Sequence, residues 1–126
     1  MAQLSGNKKF NTAVFISGTG SNLKNLIQFS KKKKSPISIN LIISNNLNSK
    51  GLKLAKIYKI EKKIFKFKQK TLDEKKLLKI LKNKRTNLIC LAGFMKILSD
   101  NFIKRFKGKI LNIHPSLLPK YKGLDT

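Results

Sequence analysis

The chain has 126 residues, with 29 Lys and Arg against 5 Asp and Glu and a formal net charge of +24. Length points to one domain, and 40% hydrophobic content supplies one core. The longest apolar run, Leu88 to Met95, is far short of the roughly 18 residues a membrane helix needs, and Ala13 to Ile16 is too short for a signal-peptide core.

One cysteine, Cys90, excludes an intramolecular disulfide and fits a reducing, cytoplasmic setting. The charge invites a nucleic-acid reading, because any strongly basic surface releases counterions on binding a polyanion. Yet 27 of the 29 basic residues are Lys and only Arg85 and Arg105 are Arg, the type whose planar fork reads phosphates and bases. Lys, Asn and Ile together make 54 of 126 residues, and AT-rich codons encode all three. The lysines, including the run Lys31 to Lys34, therefore read as solvated faces, and no specific nucleic acid is expected.

In chain order, Ala13 to Ser17 is an apolar run ending in glycines, as a buried strand feeding a loop should. Residues 1–11 before it are expected to be a flexible extension of a single domain spanning 1–126. Leu23, Leu26 and Ile27 recur at helical spacing from Ser21. Ile37 to Ile43 is a second strand after Pro36, and Leu52 to Tyr58 a short helix after Gly51. Ile64-Phe-Lys-Phe67 alternates as a third strand. Thr71-Leu-Asp-Glu74 has the form of a capping box, with Leu77, Leu78 and Leu81 behind it on one helical face. Asn87 to Leu91 is the fourth strand; Ser99 can cap a helix bearing Phe102, Ile103 and Phe106; Lys109 to Ile113 is the fifth strand.

Such alternation predicts an α/β fold, a Rossmann-like open and mostly parallel sheet with helices on both faces. Ligands of these sheets bind beyond the carboxyl ends of the strands, where strand order reverses. Three unusual segments occupy those ends: Gly18 to Asn22, Ala92 to Leu98, and Asn112 to Thr126.

Gly18-Thr-Gly-Ser-Asn22 lies between a strand and a helix, where free N–H groups and the positive end of the helix dipole favour an anion. Leu23 stands where a dinucleotide fingerprint needs its third Gly, and Ser44-Asn-Asn46 offers no acid for a ribose. A monophosphate on Gly20, Ser21 and Asn22 fits better; a merely tight turn is the plain alternative. Asn112-Ile-His114 places an amide and an imidazole two apart at a strand end, on one side of it. Asn can donate to an oxyanion and His can relay a proton, which suits attack on a carbonyl. Leu91 to Leu98 reads as a strand end entering the core or as an apolar wall for a flat heterocycle. Cys90 reads as a small buried hydrophobe, and no metal-ligand spacing is present.

Three segments carry a resemblance: Ile16-Ser-Gly-Thr-Gly-Ser-Asn-Leu23, Leu91-Ala-Gly-Phe-Met-Lys-Ile-Leu98 and Leu111-Asn-Ile-His-Pro-Ser-Leu-Leu-Pro-Lys-Tyr121. They resemble the N-terminal two-thirds of the phosphoribosylglycinamide formyltransferases, from Thr12 onward. The resemblance implies formyl transfer from 10-formyltetrahydrofolate to the amine of glycinamide ribonucleotide, in purine (IMP) biosynthesis, without a metal. It implies that Gly20, Ser21 and Asn22 hold the substrate phosphate. Met95, Lys96, Ile97 and Leu98 would border the folate, with Lys70 standing where relatives often carry an Arg. Asn112 and His114 would be catalytic.

The family also carries a catalytic Asp downstream of this motif, on a part of the fold that follows the fifth strand. The 126 residues alone are therefore expected to be a truncated formyltransferase fold, inactive or badly impaired. Partners are expected to be small molecules, with no membrane, and a homodimer is compatible with the sequence. The alternatives are a methionyl-tRNA formyltransferase-type enzyme, which shares the Asn-x-His plan, and a non-catalytic remnant that binds phosphate or nucleic acid.

Overall fold

The computed structural model describes residues 9–113. Nine elements alternate along the described residues: β1 (Phe10–Ile16), α1 (Ser21–Ser30), β2 (Ile37–Ser44), α2 (Leu52–Ile57), β3 (Glu61–Ile64), α3 (Lys70–Asn83), β4 (Leu88–Leu91), α4 (Asp100–Arg105) and β5 (Lys109–Asn112). The five strands form one sheet in the order β3-β2-β1-β4-β5, and every pairing is parallel. Strand order runs outward from β1 in one direction and then, at β4, in the other. The reversal therefore lies between β1 and β4. The expected α/β architecture is the one observed.

Strand β1 is central because its side chains suit both faces. Thr12 to Ile16 are all buried, Val14 and Ile16 on one face and Ala13 and Phe15 on the other. Strands buried on both faces read as continuous apolar runs, not as alternation. On the first face, Leu23, Leu26 and Ile27 of α1 and Leu52 and Ala55 of α2 pack over Val14, Ile16, Ile42 and Cys90. The second face is more aromatic: Leu77 and Leu81 of α3 and Phe102 of α4 cover Ala13, Phe15, Leu41 and Ile89, joined by Phe67 and Phe106.

Three local expectations are corrected. Residues 10 and 11, assigned to the N-terminal extension, belong to β1, where they pair with Ile37 and Ser38. Strand β3 is the charged run Glu61 to Ile64, not Ile64 to Phe67. Among the described residues it has only β2 as neighbour, and charge on an edge strand discourages further pairing. Phe67 turns through a positive φ of 61° and is buried in the second cluster, so the alternation of Phe65 and Phe67 reflects a turn into the core.

The third correction concerns the capping box. Helix α3 begins at Lys70 with Gln69 as N-cap and no side-chain cap, so Thr71 already lies inside it. Glu74 instead reaches across to α4, where its carboxylate accepts from the Ser99 N–H at 2.9 Å and the Ser99 hydroxyl at 2.5 Å. Ser99 in turn accepts from the Phe102 N–H at 3.0 Å, the cap expected of it.

Candidate functional site

At the carboxyl edge, the ends of β1, β4 and β5 stand side by side. Phe15 pairs with Leu91 and Leu91 with Asn112. The Ala92 N–H donates to the Phe15 carbonyl and the Ile113 N–H to the Leu91 carbonyl, both at 2.9 Å. Topology thus brings together the loops that follow β1 and β4 and the end of β5. His114, which the sequence pairs with Asn112, lies outside the described residues.

Gly20 is the N-cap of α1, with φ +81° and no side-chain cap on the helix. Its carbonyl starts the helix by accepting from the Lys24 N–H at 2.8 Å. A Cβ on Gly20 would come within 2.6 Å of the Gly51 Cα, and one on Gly51 within 3.0 Å of the Gly20 Cα. Each glycine is required by the other. The first N–H groups of α1, those of Ser21 and Asn22 among them, have no carbonyl of their own helix to bond. Their dipole end is positive, and no acidic residue occupies the first turn.

The turn is held from behind by the loop after β2. The Gly18 carbonyl accepts from the Gly51 N–H at 3.1 Å and from the Ser49 hydroxyl at 2.5 Å. Ser17 joins three strand ends: its hydroxyl donates to the Asn45 side-chain oxygen and accepts from the Met95 N–H at 2.8 Å. Ser44 and Asn46 fold that second loop locally, the Ser44 hydroxyl donating to the Asn46 carbonyl and accepting from the Asn46 N–H. Sequence reading used Ser44-Asn-Asn46 only to exclude a ribose-binding acid; it missed Ser17, Asn45, Ser49 and Gly51 as the frame of the loop. The available signal was the Ser/Asn/Gly cluster from Ser44 to Gly51, a composition typical of tight turns.

Gly18 behaves differently from Gly20. A Cβ there would meet nothing within 4 Å among the described residues.

After β4, Gly93 takes φ +74° and the chain runs out to Met95 and Ile97, exposed at 80% and 81%, with Lys96 exposed between them. Leu98 does not share that exposure. It is buried in the second core cluster and anchors the loop. Phe94 packs edge-on against Phe15 and Phe67, at 5.3 and 5.8 Å between ring centroids. Asn112 is exposed at the end of β5. Lys70 is exposed at the start of α3 and lines a groove with Ser99 and Asn101.

Cys90 points into the first cluster, 2% exposed, and burial raises its thiol pKa to about 11. At neutral pH it is a thiol and no nucleophile. Among the described residues no group of three His, Cys, Asp or Glu could hold a metal ion. Nor is any helix there long and apolar enough to cross a membrane.

Comparison with known proteins agrees with this geometry. The formyl transferase family model matches residues 10–126. The chain is 46% identical over 121 residues to the trifunctional purine biosynthetic protein adenosine-3 of Gallus gallus, covering 94% of this chain and 12% of that protein. It is 44% identical over 117 residues to the phosphoribosylglycinamide formyltransferase of Haemophilus influenzae, covering 90% of this chain and 55% of that one. The crystal structure of phosphoribosylglycinamide formyltransferase from Brucella melitensis superposes with a TM-score of 0.80 at 38% identity, over 93% of this chain and 62% of the other. This chain thus spans less than two thirds of each of these relatives. Sheet order, the glycine-lined turn after β1 and the family match over nearly the whole length agree: the chain belongs to the formyl transferase family.

Proposed function

We propose that the chain forms the phosphate-binding and formyl-transfer half of a phosphoribosylglycinamide formyltransferase. Its substrates in this reading are glycinamide ribonucleotide and 10-formyltetrahydrofolate, within purine synthesis. The observation that carries the proposal is the pinned turn at Gly20, opening onto the N-terminus of α1 beside the switch point between β1 and β4. Such a terminus offers N–H donors and partial positive charge to a monophosphate. Gly18 supports the reading from another side. A Cβ there would meet nothing among the described residues, so the space beside Gly18 is open to close approach of a phosphoribosyl group.

Met95 and Ile97 supply the exposed apolar surface suited to a flat pterin, with Lys96 between them. Leu98 holds this segment by packing inward, and Lys70 contributes positive charge at the start of α3. Folate brings the one-carbon group; the chain's own residues position it and stabilise charge. The Asn112 amide N–H would donate to the formyl oxygen as negative charge develops on it. His114, two residues further on, would carry a proton between the attacking amine and the departing folate nitrogen.

Calorimetric titration of the chain with glycinamide ribonucleotide tests the core of this reading. Binding is expected, with ribose 5-phosphate competing. Ser21→Asp, which sets a carboxylate among the N–H donors, is expected to weaken it by about tenfold or more. Absence of binding at millimolar ligand, or binding indifferent to Ser21→Asp, would overturn the reading. Preference for a methionyl-tRNA over the ribonucleotide would move the chain to the tRNA-directed branch of the family.

A further inference from the structure

At the opposite edge of the sheet, where β4 and β5 begin, lies an open groove of about 570 Å³ between the end of α3 and the end of α4. Its apolar floor is Leu78, Leu81 and Phe106. Five cations surround that floor: Lys79, Lys82, Arg85, Arg105 and Lys107, and no carboxylate among the described residues lines it.

Lysines alone would mean little in a chain of this charge. The arginines are another matter, because the chain has only two among its 29 basic residues, and both line this one groove. They are 20 positions apart in sequence and come from different connections, one before β4 and one before β5. Local structure does not explain the choice of Arg. Arg85 takes a left-handed φ of 57° after α3, and the matching position after α2 is filled by Lys59 at 58°. A lysine therefore serves that cap equally well. Neither guanidinium forms an ion pair among the described residues; Arg105 is steadied by its Nε–H donating to the Asn101 side-chain oxygen at 3.1 Å. What Arg offers over Lys is a planar fork that grips a phosphate through two parallel hydrogen bonds.

We propose that this groove binds a phosphorylated small molecule with a flat apolar body, of the nucleotide class, apart from the carboxyl-edge site and without reliance on its assignment. Volume supports the size, since small-ligand sites fall between about 300 and 1,000 Å³. The floor of Leu78, Leu81 and Phe106 accepts the ring and the cations take the phosphates. Asn87 also lines the groove, its side-chain oxygen buried and without a hydrogen-bond partner among the described residues. A second copy of this chain is a poor occupant, because 5 acidic residues in 126 leave it no acidic face to present.

The probe is ATP, titrated into the full 126-residue chain, with inorganic tripolyphosphate and glycinamide ribonucleotide in parallel. The charge-preserving double variant Arg85→Lys with Arg105→Lys is expected to weaken ATP by about tenfold or more while leaving ribonucleotide binding unchanged. Both side chains are exposed, and a thermal melt of the variant checks that it folds. The control Lys33→Ala with Lys34→Ala, on the distant turn after α1, is expected to change ATP affinity less than about twofold. Tripolyphosphate is expected to bind more weakly than ATP, because it leaves the floor unused. ATP affinity unchanged by the arginine variant, or reduced equally by the control, would assign binding to the diffuse basic surface and overturn the site. Equal affinity for ATP and tripolyphosphate would overturn the nucleotide class.

Discussion

The two loops that meet between β1 and β4 are built on opposite plans. The turn after β1 is locked: Gly20 and Gly51 touch, the Gly18 carbonyl is held twice, and Ser17 ties it to both neighbours. The loop after β4 is anchored at its two ends, by Phe94 and by Leu98, while Met95 and Ile97 stand out in solvent between them. A phosphate is small, charged and invariant in shape, so a rigid cradle of N–H groups suits it. A broad ring system tolerates a softer apolar surface. In the proposed reading, preorganisation lies where the ligand's geometry is fixed.

Within the β4 loop, adjacent residues should respond in opposite ways. Leu98→Ala removes a core side chain and is expected to destabilise the fold by about 2–5 kcal/mol in denaturant melts, whereas Ile97→Ser should stay within about 0.5 kcal/mol. Comparable effects for the two would erase the distinction between anchor and exposed tip. In the β1 turn the parallel contrast is between glycines. Gly20→Ala forces a Cβ to 2.6 Å from the Gly51 Cα at φ +81° and should destabilise by about 2–3 kcal/mol. Gly18→Ala should leave stability within about 1 kcal/mol and yet weaken ribonucleotide binding. A Gly18→Ala variant with full affinity would remove that glycine from the site.

Beneath both loops, Cys90 gives the core a pH signature. Its folded-state pKa of about 11 lies above the ordinary thiol value of 9.0, so the unfolded chain loses its proton first. Stability from this group is complete below about pH 9 and falls as pH rises toward 11, by about 1 kcal/mol for each unit. Comparing melts of the parent and Cys90→Ala across that window isolates the effect from lysine titration; parallel curves would contradict it. A modest change is expected at the bridge itself. Ser17→Ala deletes the hydroxyl shared by Asn45 and Met95, at about 1 kcal/mol, and should speed amide exchange at Met95 more than at Gly20.

Much of this layout was legible in the sequence, because long-range order here follows from local rules. Continuous apolar strands separated by helices at 3.6-residue spacing imply a parallel sheet, and such a sheet places its ligand at the switch point. That Gly20 and Ser21 open a helix could be read from their place after the first strand. Reading failed where the reason was tertiary. Phe65 and Phe67 alternate like a strand, but the second cluster pulls Phe67 inward through a turn. Glu74 has capping-box spacing from Thr71, but its partner is Ser99, 25 residues away. Leu98 looked like one more wall residue beside Ile97, and only packing separates them. Gly51 gave no hint that its neighbour would be Gly20.

The most direct test of the central claim, that the N-terminus of α1 is the phosphate site, is a titration of ¹⁵N-labelled chain with glycinamide ribonucleotide followed by amide NMR. The Gly20, Ser21 and Asn22 amides are expected to move first and farthest, saturating together, with Met95 following through Ser17. If those three stay fixed while the ribonucleotide binds, and the shifts collect instead around Arg85 and Lys107 at the far edge of the sheet, the phosphate site has been placed at the wrong end.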